Sequence, residues 1–173
     1  MRYCTFFFSD RETTTVCGME VRGSRQFRSR TRDALSLLQP LPEFDLIQSH
    51  LAAIRQGNRS GVTAWAARPV FTVGAPTWTH SPLWYAGAIA HDAFHAKLYR
   101  DAKKHDAGTE PDPAAWSGQA AERACLTFQR QVLVTLRADK TVIDYVEKHA
   151  QNPTYQGRSK GPGGWLDYRK RWW

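Results

Sequence analysis

Cysteine is scarce in this 173-residue chain, and its three cysteines, Cys4, Cys17 and Cys125, form no CxxC pair. An odd number without paired spacing argues against a disulfide framework and against a zinc knuckle made of cysteines. Long apolar runs are missing too, since none approaches the roughly 20 residues of a membrane-spanning helix. The apolar patch at residues 3–8 is too short for a signal-peptide core. We therefore expect a cytoplasmic protein with no membrane partner.

Acidic residues are also few, because 16 Asp and Glu face 24 Lys and Arg, which gives a net charge of +8. Much of the excess lies in residues 22–32 and 158–171. Basic segments of this kind attract nucleic-acid phosphates without sequence preference. The second segment also interleaves tryptophans with cations, a pattern that stacks on bases. A solvated basic surface is the more common explanation, so a nucleic-acid partner at the basic termini stays an alternative.

Length and composition predict one metal-site domain, residues 1–152, followed by a basic, Trp-rich C-terminal segment, residues 153–173. The expected fold class is α+β, with a mostly helical core and short N-terminal strands. Strand-forming residues predict these strands at 3–8 and 13–21, followed by a basic loop. Residues 61–74 predict a further strand pair or an extended edge segment just before the metal-binding helix.

Apolar spacing, prolines and capping residues predict the helices. Pro40 ends the first helix, Pro82 stands where a first helical turn tolerates proline, and Asp112 is a good N-cap. The predicted helices span residues 31–39, 42–56, 83–103, 113–136 and 139–150.

The pair His91 and His95 carries the strongest chemical signal. Residues four apart share one face of a helix, so both imidazoles can point at one ion. Their surroundings are mostly apolar or small, and two imidazoles on such a stripe need a partner. A metal satisfies both at once, whereas the alternative is a pair of hydrogen-bonded core histidines.

Glu122 is the best third ligand, because a carboxylate on an apolar helix is rarely buried unless it is paired or binds a cation. The polar connection before its helix allows the two helices to pack antiparallel, which brings Glu122 beside the histidines. The rival third ligand is His80, in the loop before the first of these helices. The alternative for Glu122 is an ion pair with an arginine such as Arg100.

The segment from His91 to His95 resembles the HExxH helix of zinc metallopeptidases, with aspartate in place of glutamate. With Glu122 on a following helix, the chain most resembles the gluzincin branch. The resemblance implies a zinc cofactor on His91, His95 and Glu122, Asp92 as general base, and a peptide substrate held along residues 70–73 as the edge strand. Tyr99, four residues after His95, is a candidate donor to a developing oxyanion, although a structural tyrosine is common at such positions.

The sequence therefore predicts a zinc-dependent, peptidase-like hydrolase, with other divalent transition metals possible. Aspartate is one methylene shorter than glutamate, so a catalytically weak or inactive metal-containing binding module is an alternative. A third possibility is a phosphohydrolase of the HD type with His50, His80 and Asp144, whose spacing gives no specific support.

Overall fold

The computed structural model describes residues 12–105 and 108–152. The strand predicted at 3–8 and the basic C-terminal segment lie outside these residues. The strands are β1 (Glu12–Val16), β2 (Met19–Gly23), β3 (Ala53–Gln56), β4 (Gly61–Val62) and β5 (Val70–Val73). The helices are α1 (Arg25–Leu38), α2 (Phe44–His50), α3 (Ala75–Trp78), α4 (Pro82–His105), α5 (Pro113–Ser117), α6 (Gln119–Thr135) and α7 (Lys140–Ala150). The predicted α+β class is confirmed.

The five strands form one mixed sheet in the order β1-β2-β3-β5-β4. The three middle strands are parallel, and an antiparallel strand flanks them on each side. Val21, Ile54 and Phe71 stand in register across the middle strands and are fully buried. Parallel strands need crossover connections, and α1 and α2 supply the crossover between β2 and β3.

The single strand predicted at 13–21 is wrong, because the chain turns back at Cys17 and Gly18 to form a hairpin. Both residues have positive φ, 49° and 77°, as the turn requires. The basic loop predicted next is also wrong, since α1 begins at Arg25 and the Ser24 side chain caps it by accepting from the amide of Phe27. The first basic segment is thus mostly helix, and its predicted nucleic-acid partner stays a prediction.

The helix predicted over 42–56 is correct only in its first half. Helix α2 ends at His50, and β3 takes Ile54 into the middle of the sheet. The apolar spacing that suggested a continuous helix also suits a short helix followed by a buried strand, and sheet pairing decides between them.

The strand pair predicted within 61–74 is confirmed, because β4 and β5 are antiparallel. The prediction that residues 70–73 form the edge strand is wrong, however. Residues 70–73 form β5, which lies inside the sheet between β3 and β4, so β4 is the outer strand on this side among the described residues.

Helix α4 runs through the centre of the protein and contacts the sheet, α1, α2, α5 and α6. Its fully buried residues include Tyr85 and Ile89. It meets α6 closely at Gly87, where an added Cβ would lie 3.1 Å from the Leu133 side chain. Phe94 and Phe128 stack about two turns further along α4, with ring centroids 4.8 Å apart. No helix in the described part of the chain is long and apolar enough to cross a membrane.

The helix predicted over 113–136 is interrupted at Gly118. Asp112 caps α5 as predicted, and its side chain accepts from the amide of Ala114. An added Cβ at Gly118 would lie only 2.6 Å from the carbonyl oxygen of Ala114. Glycine therefore permits the sharp join between α5 and α6, and this join shapes the site described next.

Candidate metal centre

Three predicted ligands meet where α4 and α6 cross. The Nε2 atoms of His91 and His95 lie 3.1 Å apart. Glu122, in the first turn of α6, places Oε1 3.4 Å from His91 Nε2 and Oε2 3.1 Å from His95 Nε2. His95 and Glu122 are buried and His91 is nearly so. The arrangement brings two imidazole nitrogens and a carboxylate together around one point.

The spacing of these donors fits a tetrahedral metal ion. Zinc binds nitrogen and oxygen ligands at about 2.0–2.2 Å, which separates neighbouring ligands by about 3.3–3.6 Å at tetrahedral angles. The observed separations of 3.1 Å and 3.4 Å need shifts of only a few tenths of an ångström. Two imidazoles and one carboxylate are also a ligand set that zinc uses in open sites.

His95 is oriented by a main-chain carbonyl. Its Nδ1 lies 2.7 Å from the carbonyl oxygen of Trp116, and because a carbonyl only accepts, Nδ1 carries the hydrogen. In neutral His95 the Nε2 lone pair therefore points at the Glu122 carboxylate, which is favourable only with a cation between them. Ligand histidines commonly have such an outer partner.

The join at Gly118 explains why this carbonyl is available. Trp116 is near the C-terminal end of α5, where helical carbonyls have no partner further along the same helix. His95 then takes that carbonyl as acceptor. In contrast, His91 Nδ1 is buried without a hydrogen-bond partner among residues 12–105 and 108–152, whereas its Nε2 faces His95 and Glu122.

The charges of the three residues are strongly coupled. Burial alone would lower the pKa of both histidines, but the charge of Glu122 and its hydrogen bonds raise the pKa of His91 and His95 above the usual value. Burial alone would raise the pKa of Glu122, but the two histidines hold it well below its usual range. Without a metal the site therefore favours a carboxylate between protonated imidazoles, and a dication would replace those protons.

The three donors open onto a cavity of about 350 Å³, a size typical of small-molecule sites. Asp92 lines the same cavity, and burial raises the pKa of its carboxyl to about 6. The edge strand β4 lines one side through Gly61 and Val62, and α7 contributes His149 to the lining. The predicted base and the predicted ligands thus share one cavity.

Other predicted site residues lie elsewhere. His80 is exposed, and its ring packs near Trp84 while Nδ1 lies 3.3 Å from the Ser81 hydroxyl. Tyr99 donates its hydroxyl to Glu110 at 2.6 Å. Neither His80 nor Tyr99 belongs to the cavity lining among the described residues.

The alternatives considered for Glu122 and for the HD-type site find no support in the geometry. Arg100 donates to the main-chain carbonyls of Ser49 and Ala67. His50 bonds within α2 to the carbonyl of Leu46, and Asp144 pairs with Lys140 on the surface of α7. None of these side chains lines the cavity in the part of the chain described.

Sequence reasoning missed Cys125 as a member of this site. Its Sγ and the ring nitrogens of His91 and His95 all lie within 4.8 Å of one another. Cys125 is fully buried, and burial raises the pKa of its thiol to about 12. The available signal was its position three residues after Glu122, which places both on one face of α6.

The chain matches no protein-family model, no curated protein and no solved structure. The likeness to the HExxH helix therefore rests on its residues and their arrangement alone.

Proposed function

We propose that this protein is a metal-dependent hydrolase that binds zinc through His91, His95 and Glu122. One observation carries the proposal: the three donors lie 3.1–3.4 Å apart at the wall of a cavity. Rigid helices hold all three, which is how metal ligands are kept in place. This agrees with the resemblance to gluzincins, whose third ligand is a glutamate on a later helix.

A bound zinc ion would supply Lewis acidity, which polarises a carbonyl group and lowers the pKa of water. Asp92 is then the general base, because its carboxylate lines the same cavity and would accept a proton from the attacking water. Its pKa of about 6 leaves it ionised at neutral pH. Trp116 holds His95 in the required orientation through its carbonyl.

The proposed substrate is a peptide in an extended conformation. Strand β4 is a sheet edge next to the ligands, and sheet edges bind extended peptides through main-chain hydrogen bonds. This replaces residues 70–73 as the predicted substrate strand, since that segment lies inside the sheet. Trp116 also lines the cavity and packs against the exposed ring of Trp65, with centroids 5.9 Å apart.

The direct test is metal analysis of protein purified without a nickel column. We expect about one zinc per chain, and about none in His91→Ala and His95→Ala. The second step is cleavage of a quenched fluorescent peptide library, with activity lost on chelation and restored by zinc. A metal-free wild type whose thermal stability does not respond to added zinc would contradict the proposal.

A second candidate is a metal-containing binding module without catalysis. The aspartate at position 92 favours it, because its carboxylate reaches one methylene less far than the glutamate of HExxH, and small misplacements can cost about a hundredfold in rate. A protein that binds one zinc and cleaves no library peptide would favour this candidate.

A further inference from the structure

A thiol lies among the proposed metal ligands on the side of the core. Cys125 Sγ, His91 and His95 bring their donor atoms within 4.8 Å of one another. Cys125 has no exposed surface, whereas the cavity lining includes the two histidines and Glu122. Cys125 is not among the described residues that line the cavity. The sulfur therefore lies next to the two imidazoles but is not exposed to the cavity.

Each of the two helices contributes one pair of candidate ligands. His91 and His95 are one turn apart on α4, and Glu122 and Cys125 are one turn apart on α6. Pairs of ligands on packed antiparallel helices also form the metal sites built between the helices of a bundle. Both helices also contribute core residues, such as Ile89 and Val132.

A buried cysteine is usually a small apolar residue, and its surroundings here decide against that reading. Its Sγ lies within 4.8 Å of ring nitrogens of both His91 and His95. A side chain that only filled space would be expected among apolar neighbours. Two imidazoles beside one sulfur are instead typical of a metal site, in which cysteine binds as thiolate.

We propose that Cys125 is a fourth metal ligand, so that the ion is held by two histidines, one glutamate and one cysteine. This inference rests on the proposed metal site. At tetrahedral angles a sulfur at 2.3 Å and a nitrogen at about 2.0 Å lie about 3.5 Å apart, so Sγ must approach by roughly an ångström. A rotation about the Cys125 side chain supplies movement on that scale, and the thiol proton is released to solvent as the metal binds.

A thiolate ligand has two consequences for the site. It selects soft and borderline ions, so zinc and cobalt are favoured over magnesium or manganese. It also fills the fourth position, so an attacking water needs an expansion to five-coordinate geometry, as some catalytic zinc sites show. The site would then hold its metal tightly and hydrolyse slowly.

The test is a cobalt titration of the metal-free full-length protein, with absorbance as the readout. Thiolate-bound cobalt gives an intense near-ultraviolet charge-transfer band that nitrogen and oxygen ligands do not give. We expect this band in the wild type and in the control Cys17→Ala, and its loss in Cys125→Ala with cobalt still bound. Because loss of an outer partner already weakens metal binding about 10- to 100-fold, loss of this ligand should weaken it at least as much.

X-ray absorption of the zinc-loaded wild type makes the test independent of any variant's folding. We expect a sulfur scatterer at about 2.3 Å from zinc. A wild type that binds cobalt without the charge-transfer band, and zinc without a sulfur neighbour, overturns the role of Cys125 and leaves the three-ligand site intact. A protein that binds neither ion overturns both this inference and the proposed function.

Discussion

His95 donates its Nδ1 hydrogen to the main-chain carbonyl of Trp116 over 2.7 Å, so the backbone of α5 sets the orientation of a side chain on α4. The acceptor is not a side chain, and no substitution at position 116 removes it. What can disturb it is the path of the chain between α5 and α6. The proposed metal site therefore depends on a join that contributes no ligand.

Gly118→Ala should disturb that join. The new Cβ would lie 2.6 Å from the carbonyl oxygen of Ala114, so the backbone must shift and the Trp116 carbonyl with it. We expect a loss of about 1–3 kcal/mol in the free energy of unfolding and about 10- to 100-fold weaker metal binding. Denaturant unfolding and a chelator competition measure the two effects. Ala115→Ser, which adds one atom at an exposed neighbouring position, is the control.

Glu122→Gln should weaken zinc binding far more than His80→Ala. The amide keeps the size of the side chain but removes the negative charge that faces both imidazoles, whereas His80 is exposed and lies outside the cavity lining. Isothermal titration with zinc measures the difference. Retention of metal by Glu122→Gln together with its loss in His80→Ala would reverse the ligand assignment.

The metal-free protein should be most stable in mildly acidic solution. The pKa of Glu122 is lowered, so its contribution is present above its ordinary value of 4.5 and is lost as the pH falls. The pKa values of His91 and His95 are raised, so their contribution is complete below 6.5 and is lost as the pH rises through the higher folded values. Burial raises the pKa of Asp92 to about 6, so its ionisation also costs stability as the pH rises. Thermal melts with a chelator should peak near pH 5–6.

Zinc should reverse this dependence on pH. A metal ligand must be deprotonated, so the ion competes with the protons on the two histidines. The increase in melting temperature caused by zinc should therefore be larger at pH 8 than at pH 6. An increase that is the same at both pH values would mean that zinc does not displace protons from His91 and His95.

Asp92→Asn should reduce turnover by about a hundred- to ten-thousand-fold, the effect of a lost general base, while zinc content stays normal. Asp92→Glu is the sharper change because it restores the reach of the HExxH glutamate. If the aspartate carboxylate lies too far from the attacking water, the longer glutamate should raise activity. If the backbone has adjusted to aspartate, the extra methylene should reduce activity. Rates of peptide cleavage unchanged by both substitutions would favour the binding module.

Helix α4 and the start of α5 were predictable from the sequence because their signals are local, whereas the break at Gly118 was not. The spacing of His91 and His95, the proline at position 82 and the cap at Asp112 act within one or two helical turns. Helix α4 accordingly begins at Pro82 and extends two residues beyond the predicted end. Glu122 is also where a buried carboxylate beside two histidines was expected.

The sheet was harder to predict because its order depends on contacts between distant residues. Ile54 fits a helical spacing with its predecessors, and only its pairing with Val21 and Phe71 makes it part of a strand. The position of β4 likewise follows from the strand order, and no local sequence pattern determines that order. Cys125 was missed for a related reason, because only its contact with His91 and His95 on α4 indicates a role for this single cysteine.

Helices α4 and α6 meet both at the proposed ligands and at Gly87, so an ion between them would act as a reversible cross-link. His95 and Glu122 are 27 positions apart in the chain. Closing a loop of even 15 residues removes unfolded-state entropy worth roughly 3 kcal/mol in the case of a disulfide. Chelation would then loosen the segment between the helices, including α5, and its amide hydrogens would exchange faster with solvent. The lifetime of the folded state would thus be set in part by the residence time of the ion.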